Sequence, residues 1–242
     1  TSTVVVAADR PGLGVLHGKD YSGFDITVAR YVAQYLGFAD KQVVFAKVIP
    51  SARVSALTSG DVDMVVDSFA TNTDHDDEVT FAGPYLTVRR DLLIRADDKD
   101  GILSVDDLDG KTVCTAKGSI SGSDMRNLTD KMTVEERDTY PQCVTALMIG
   151  EADAIISDDV ILTGLAADRG GGYLKVVGEP FGEQSYGIAV RNGKSELVGQ
   201  IDAALKAMVA DGSWSSAVQA LKQDIGYTVD VSSNPPTVRR KN

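Results

Sequence analysis

Short apolar runs and helical patterns alternate along the whole chain. Eight runs rich in β-branched residues predict buried strands, at 3–7, 43–48, 64–66, 91–94, 112–115, 154–156, 173–177 and 186–190. Helical patterns lie between or after these runs, at 24–36, 195–210 and 213–224. Strands that alternate with helices predict an α/β fold built on parallel sheets.

One motif occurs twice, at Leu57–Ser68 and again at Leu147–Asp158. In each copy a short amphipathic helix ends in a leucine, a glycine supplies a left-handed cap, and an apolar run follows as a strand covered on both faces. Two copies predict two similar α/β lobes, although so short a pattern also arises by coincidence. Ligands bind beyond the carboxyl ends of strands in open parallel sheets, so Asp67–Ser68 and Asp158–Asp159 mark candidate binding edges.

Bulk properties narrow the class of protein. The 242 residues suit one large domain or two lobes of about 100 residues each. A net charge of −11 argues against a nucleic-acid partner and against an anionic membrane surface, because both would be repelled. No apolar run approaches the roughly 20 residues that span a bilayer, and no stretch reads as a signal peptide. A cytosolic chain and a mature extracytoplasmic form both stay open on this basis.

Motifs for catalysis or for cofactor binding are missing. The two histidines, His17 and His75, have no second ligand at zinc-site spacing. The chain has no P-loop, no dinucleotide fingerprint and no calcium loop. In Gly118–Gly122, Ile120 stands where a nucleophile elbow needs serine. The sequence therefore predicts no metal, no cofactor and no enzymatic activity.

Cys114 and Cys143 are the only cysteines. A bridge between them would close a loop of about 30 residues and contribute roughly 3–4 kcal/mol in the chain-entropy model. Two separate buried thiols fit the sequence equally well, because free cysteine behaves as a small apolar residue.

A longer segment, Tyr21–Ala33, resembles the signature of the polar amino-acid family of extracytoplasmic solute-binding proteins. Further segments fall in the order of that family: Arg10–Gly14, Ser51–Arg53, Thr80–Tyr85, Asp91–Asp98, Asp106–Val113 and Tyr186–Val190. The resemblance covers nearly the whole chain and looks closest to the glutamate-binding proteins of actinobacterial ABC importers. In that branch a cysteine pair at the positions of Cys114 and Cys143 is familiar, so the resemblance implies a disulfide.

The resemblance also implies a type II periplasmic-binding-protein fold, with two lobes, two crossing segments and a ligand cleft between the lobes. The crossings are expected near 86–91 and 184–188. Lobe 1 would comprise residues 1–88 and 187–231, lobe 2 residues 89–186, and residues 232–242 a flexible tail. A monomer at the cell surface is expected, secreted or anchored as a lipoprotein.

Two positions depart from the family's ligand site. The arginine that holds the ligand's α-carboxylate is replaced by His75, and the hydroxyl of the lobe 2 turn is replaced by Ile120. A neutral imidazole cannot supply a permanently charged fork, and isoleucine has no donor. Ser119 and Ser121 keep hydroxyl groups beside Ile120, and backbone amides at this turn could still bind an anion.

Other positions agree with the family pattern. Asp158 corresponds to the aspartate that binds the ligand's ammonium group, and Ser68 to a lobe 1 contact. Arg10 and Arg53 resemble arginines directed toward an acidic ligand side chain, with exposed surface arginines as the alternative.

The strand end that carries Ser68 supplies three further candidates. Asp67 stands where small residues are usual, either as a ligand contact that favours a cationic or hydroxyl-rich solute or as a cap of the following turn. Phe69 fits the core or the cleft wall equally, and Ala70 completes the predicted ligand-binding set.

The resulting interpretation is a protein that captures a small polar solute for an ABC importer, with glutamate, aspartate or a close relative as the first candidate. One alternative is a sensory domain that reports a solute to a membrane partner. Another is an enzyme similar to cyclohexadienyl dehydratases, with Asp67 or Asp158 as the general acid.

Overall fold

The computed structural model describes residues 1–72, 74–97 and 99–238. Its strands are β1 (Ser2–Val6), β2 (Asp9–Arg10), β3 (Gly14–His17), β4 (Asp20–Ser22), β5 (Val43–Ala46), β6 (Met64–Ala70), β7 (Val79–Arg95), β8 (Thr112–Ala116), β9 (Thr133–Arg137), β10 (Ala154–Asp158), β11 (Leu174–Val176) and β12 (Phe181–Arg191). Its α-helices are α1 (Phe24–Tyr35), α2 (Arg53–Thr58), α3 (Gly122–Thr129), α4 (Tyr140–Met148), α5 (Asp159–Arg169), α6 (Ser195–Ala210) and α7 (Ser213–Ile225). The eight strands and three helices predicted from the sequence are therefore confirmed.

The chain folds into two compact units. Unit 1 contains residues 1–48, 52–87 and 185–242, and unit 2 contains residues 49–51 and 88–184. Both β7 and β12 contribute residues to each unit, because the chain passes from one to the other after Thr87 and after Gln184.

In unit 1, β1 lies between β5 and β6, and both neighbours run parallel to it. Strand β12 extends this sheet by pairing antiparallel to β6, with Tyr186 opposite Ala70 and Gly187 opposite Phe69. Apolar side chains from β1, β6, β7, β12, α2 and the turn before β6 form the core: Val5, Leu57, Val62, Val65, Phe69, Val79, Phe81 and Ala189. The carboxyl end of β6 therefore belongs to a strand that is packed into this core.

A second, three-stranded antiparallel sheet in unit 1 was not predicted from the pattern of apolar residues. Its order is β2-β3-β4, and Asp9 pairs with Val15 while Arg10 pairs with Gly14. The turn between β2 and β3 also receives the first amides of α1, because Asp25 N–H donates to the carbonyl of Leu13 at 2.9 Å. This sheet therefore fixes the backbone at Arg10 and the start of α1.

Unit 2 has its own sheet, in the order β7-β10-β8-β9, and β11 pairs with β7. Strand β10 is parallel to β8 and antiparallel to β7, and β9 is parallel to β8. Cys114 on β8 and Cys143 on α4 form a disulfide, which confirms the pairing expected from the family resemblance. The bridge ties the sheet of this unit to the helix that covers it.

The repeated motif performs the same structural task in each unit. In unit 1, Asp63 N–H donates to the carbonyl of Thr3 at 2.9 Å, and Thr3 N–H donates to Asp63 Oδ2 at 2.8 Å. In unit 2, Asp153 makes the same two hydrogen bonds with Thr112, at 2.8 and 2.9 Å. Each aspartate aligns the start of its strand with the start of the neighbouring parallel strand, so the repeat is structural and not a coincidence.

The expected unpacked tail from Ser232 onward is wrong at Asn234, whose side chain is buried. Asn234 Nδ2 donates to the carbonyl of Thr87 at 2.8 Å, and Thr87 N–H donates to Asn234 Oδ1 at 2.9 Å. Composition alone missed this contact because a single amide can satisfy both backbone groups of an extended residue. Residues 239–242 of the predicted tail lie outside the described residues, and so does Asp98.

Within the described ranges, no helix is long and apolar enough to cross a membrane.

Candidate functional site

Two arginines of unit 1 converge on one residue. Arg10 Nη1 donates to the main-chain carbonyl of Asp67 at 2.7 Å, and Arg53 Nη1 donates to the same oxygen at 3.1 Å. Both arginine side chains are only 3 % exposed, so the alternative that they are surface arginines is wrong. Strand β2, the start of α2 and the carboxyl end of β6 thus bring two guanidinium groups together.

Asp67 also contributes its side chain to this group. Its Oδ1 lies 2.9 Å from Arg10 Nη1, which is an ion pair by distance but does not have hydrogen-bond geometry. The side chain is 1 % exposed, and burial raises the pKa of the Asp67 carboxyl, while Arg10 and Arg53 oppose this shift. Asp67 is therefore a buried carboxylate stabilised by the guanidinium charges, and not an exposed turn cap.

Phe69 serves the core and the arginine pair at the same time. The guanidinium carbon of Arg53 lies 4.0 Å from the centroid of the Phe69 ring, and Phe81 packs edge-on against Phe69 at 5.0 Å. Stacking on a ring face holds a planar guanidinium in a fixed orientation. Ala70 follows at the end of β6, where it pairs with Tyr186.

Ser68 has an unusual backbone and a short hydrogen bond. Its φ of 45° is the only positive φ at a non-glycine residue within the described ranges. Its hydroxyl donates to Asp25 Oδ2 at 2.5 Å, and the hydroxyl of Tyr85 donates to Asp25 Oδ1 at 2.5 Å. Left-handed backbone at serine costs free energy, and the buried carboxylate holds Ser68 there.

Asp25 belongs to this region of unit 1, although no role for it was predicted from the sequence. It lies in the signature segment, is completely buried, and its pKa is raised to about 7 because burial outweighs the hydrogen bonds from Ser68 and Tyr85. An aspartate inside an otherwise apolar helix stripe is the signal that could have identified it. The pattern alone could not show that its partner lies 43 residues away.

His75 lies outside this buried group. Its side chain is 48 % exposed, in the turn that precedes β7, and its Nδ1 lies 2.6 Å from Glu78 Oε2. The ligand contact that the family resemblance implies for this position stays a prediction.

In unit 2, the turn after β8 carries Ser119, Ile120 and Ser121. Ser119 Oγ donates to the carbonyl of Ala116 at 2.5 Å, and Ser121 Oγ accepts the N–H of Asp124 and so caps α3. Ile120 is half-buried against the core of this unit. These contacts give all three residues a local structural role, and their contact with a ligand stays a prediction.

Asp158 ends β10 and immediately precedes α5. Its side chain makes no capping hydrogen bond to that helix, and its backbone lies opposite Arg90 in the pairing of β10 with β7. The position beyond a strand end is the one expected for a ligand-binding carboxylate. Its role with an ammonium group stays a prediction.

The part of the chain that the structure describes holds no group of three or more histidine, cysteine, aspartate or glutamate side chains placed to bind a metal ion.

Comparison with known proteins decides the family. Residues 3–222 match the family described as bacterial extracellular solute-binding proteins, family 3. The chain belongs to this family. As a member of this solute-binding family it is a binding protein and not an enzyme, and the dehydratase alternative is set aside.

Two relatives illustrate the range of solutes. This solute-binding protein is 35 % identical over 222 residues to glutamate-binding protein GluB of Corynebacterium efficiens, covering 88 % of the chain and 75 % of the relative. It is 33 % identical over 207 residues to the ABC transporter glutamine-binding protein GlnH of Bacillus subtilis, covering 85 % of the chain and 74 % of the relative.

Solved structures support the fold. An ancestral arginine-binding protein bound to arginine superposes with a TM-score of 0.82 at 28 % identity, covering 90 % of this chain and 96 % of that one. A solute receptor for L-cysteine of Neisseria gonorrhoeae superposes with a TM-score of 0.85 at 22 % identity, covering 99 % and 96 %, and shows the fold alone. The predicted type II periplasmic-binding-protein fold is confirmed.

Proposed function

We propose that this solute-binding protein captures an amino acid outside the cytoplasm for an ABC importer, and that glutamate or aspartate is its preferred ligand. Relatives named for glutamate and glutamine at 33–35 % identity support an amino acid as the solute. The preference for an acidic ligand rests on one observation in unit 1, the convergence of Arg10 and Arg53 on Asp67.

The charges of this group favour an anion. Arg10 pairs with the Asp67 carboxylate, and Arg53 donates to the main-chain carbonyl of the same residue. The three side chains together therefore carry one positive charge when Asp67 is ionised. The guanidinium group presents several N–H donors in a planar fork that matches a carboxylate. Because both arginines are buried and already oriented, little side-chain entropy remains to be lost when an anion binds.

Calorimetric titration of the purified protein with L-glutamate, L-aspartate, L-glutamine and L-arginine tests the proposal. We expect saturable binding of glutamate or aspartate to the wild-type protein, and weaker binding of arginine because its side chain would meet two cations. Tight binding of arginine without any binding of glutamate or aspartate would contradict the proposal.

The variant Arg53→Gln removes one guanidinium and should weaken glutamate binding by about 30-fold or more, as expected for loss of one partner of a buried charge pair. Arg30→Gln is the matched control, since the Arg30 guanidinium also stacks on a phenylalanine, at 4.8 Å from the Phe45 centroid, without contacting Asp67. Equal effects of the two variants would refute the assignment of Arg53.

The cellular setting belongs to the same proposal. The disulfide agrees with an extracytoplasmic location, because such bridges persist in oxidising compartments. We propose a monomer, held at the cell surface, whose ligand-bound form is recognised by the importer's permease. Vesicles containing that permease should take up glutamate only when this protein is added with ATP, and uptake without it would contradict the assignment.

A further inference from the structure

The Asp67 side chain sits inside the cationic group that the proposed function assigns to the ligand. It lies 2.9 Å from Arg10, and its charge offsets one of the two guanidinium charges. A site built only to bind dicarboxylates would gain from leaving both guanidinium charges available. Asp67 therefore needs an explanation beyond electrostatic attraction of an acidic solute.

The two carboxylate oxygens of Asp67 are buried and receive no hydrogen bond from the described residues. A buried carboxylate oxygen normally accepts one or more hydrogen bonds, and leaving it without one is costly. A ligand that offers an N–H group next to the arginines would satisfy such an oxygen. A ligand carboxylate offers no donor and would place a second negative charge beside the first.

The arginine positions do not depend on this side chain alone. Both guanidinium groups donate to the main-chain carbonyl of Asp67, which any residue at position 67 would retain. Arg53 is also held by the Phe69 ring. The Asp67 carboxylate thus contributes charge and acceptor oxygens next to an arginine pair that other contacts already position.

We infer that Asp67 is a specificity-determining residue that lowers the preference of this site for a carboxylate and admits the corresponding amide, so that glutamine competes with glutamate. A glutamine side chain offers both an acceptor and a donor, because its carbonyl can accept a hydrogen bond from a guanidinium group and its NH2 can donate one to Asp67. This inference rests on the proposed function, since it places the ligand's side chain at Arg10 and Arg53.

The experiment compares the ratio of the glutamine to the glutamate dissociation constant in wild type and in Asp67→Asn, by calorimetric titration at one pH and one salt concentration. Removing the negative charge of Asp67 should raise this ratio by about tenfold or more. A neighbouring like charge raises the pKa of a carboxyl group by about one unit or more, and one unit corresponds to a tenfold change in affinity for the ionised form. Asp91→Asn is the matched control, because Asp91 is also a buried strand aspartate, but its oxygens accept main-chain N–H groups of Leu92 and Gly178 in unit 2.

The outcomes separate the inference from the proposed function. An unchanged ratio in a folded Asp67→Asn protein, or an equal loss of both ligands, would overturn the inference and leave glutamate capture standing. Wild-type protein that binds none of glutamine, glutamate and aspartate would refute the proposed function and the inference with it. Asp67→Ser provides a second neutral variant if Asp67→Asn does not fold, and the same rise in the ratio is expected.

Discussion

The buried carboxylate of Asp25 should make the stability of this protein fall as pH rises through neutrality. Its pKa is raised from 3.8 to about 7 by complete burial. The folded state therefore holds a proton that the unfolded state releases near pH 4. The stabilisation from this proton is fully present below pH 3.8 and is lost as pH rises through 7.

The magnitude follows from the shift. A difference of about three pKa units corresponds to about 4 kcal/mol of unfolding free energy, which is lost between roughly pH 4 and pH 8. The variant Asp25→Asn cannot ionise, yet its amide can still accept from Tyr85 and donate to Ser68. We expect the unfolding free energy of the variant, relative to wild type, to rise by about 4 kcal/mol over this pH range.

Urea denaturation of both proteins, followed by circular dichroism at half-unit pH steps, measures this difference. Subtracting the two profiles removes the contribution of every other titrating group. The exposed Asp61→Asn serves as a control that removes a carboxylate from the same unit without removing a buried one. A difference between Asp25→Asn and wild type that does not change with pH would show that folding does not raise the pKa of Asp25.

Three further predictions concern stability, each measured by urea denaturation. Asp63→Ala and Asp153→Ala should each lower the unfolding free energy by about 1 kcal/mol, because each leaves one backbone N–H without its acceptor, and a neutral result in both would contradict the shared role of the repeat. Cys143→Ser should lower the unfolding free energy by about 3–4 kcal/mol because it opens a loop closed across 29 residues. A wild-type protein whose stability does not change on addition of reducing agent would contradict this prediction. Asn234→Ala should lower the unfolding free energy by about 1–3 kcal/mol because it removes the partners of both Thr87 backbone groups. A variant as stable as wild type would contradict a stabilising role for Asn234.

Much of the fold could be predicted from apolar patterning because buried strands and amphipathic helices carry their own signal. The edge strand β9 lacks this signal, since four of its five residues, Thr133–Arg137, are polar and none is fully buried. The small β2-β3-β4 sheet was missed because its strands are two to four residues long. Strands this short show too little alternation of apolar and polar residues to be predicted.

The candidate site was predictable only in part. Arg10, Arg53 and Asp67 could be identified one by one, yet their convergence is a tertiary fact, since residues 57 and 14 positions from Asp67 reach the same carbonyl oxygen. The sequence could not reveal that Asp25 holds Ser68, because a helix residue and a strand end share no local pattern. The disulfide came from family resemblance, as cysteine spacing alone left two interpretations open.

We propose that Arg10 and Arg53 together hold the side-chain carboxylate of a bound acidic amino acid. A crystal structure of the protein grown with L-glutamate would show whether they do. We expect glutamate with its side-chain carboxylate oxygens about 3 Å from guanidinium nitrogens of both arginines. Glutamate bound with both of its carboxylates away from Arg10 and Arg53 would contradict it.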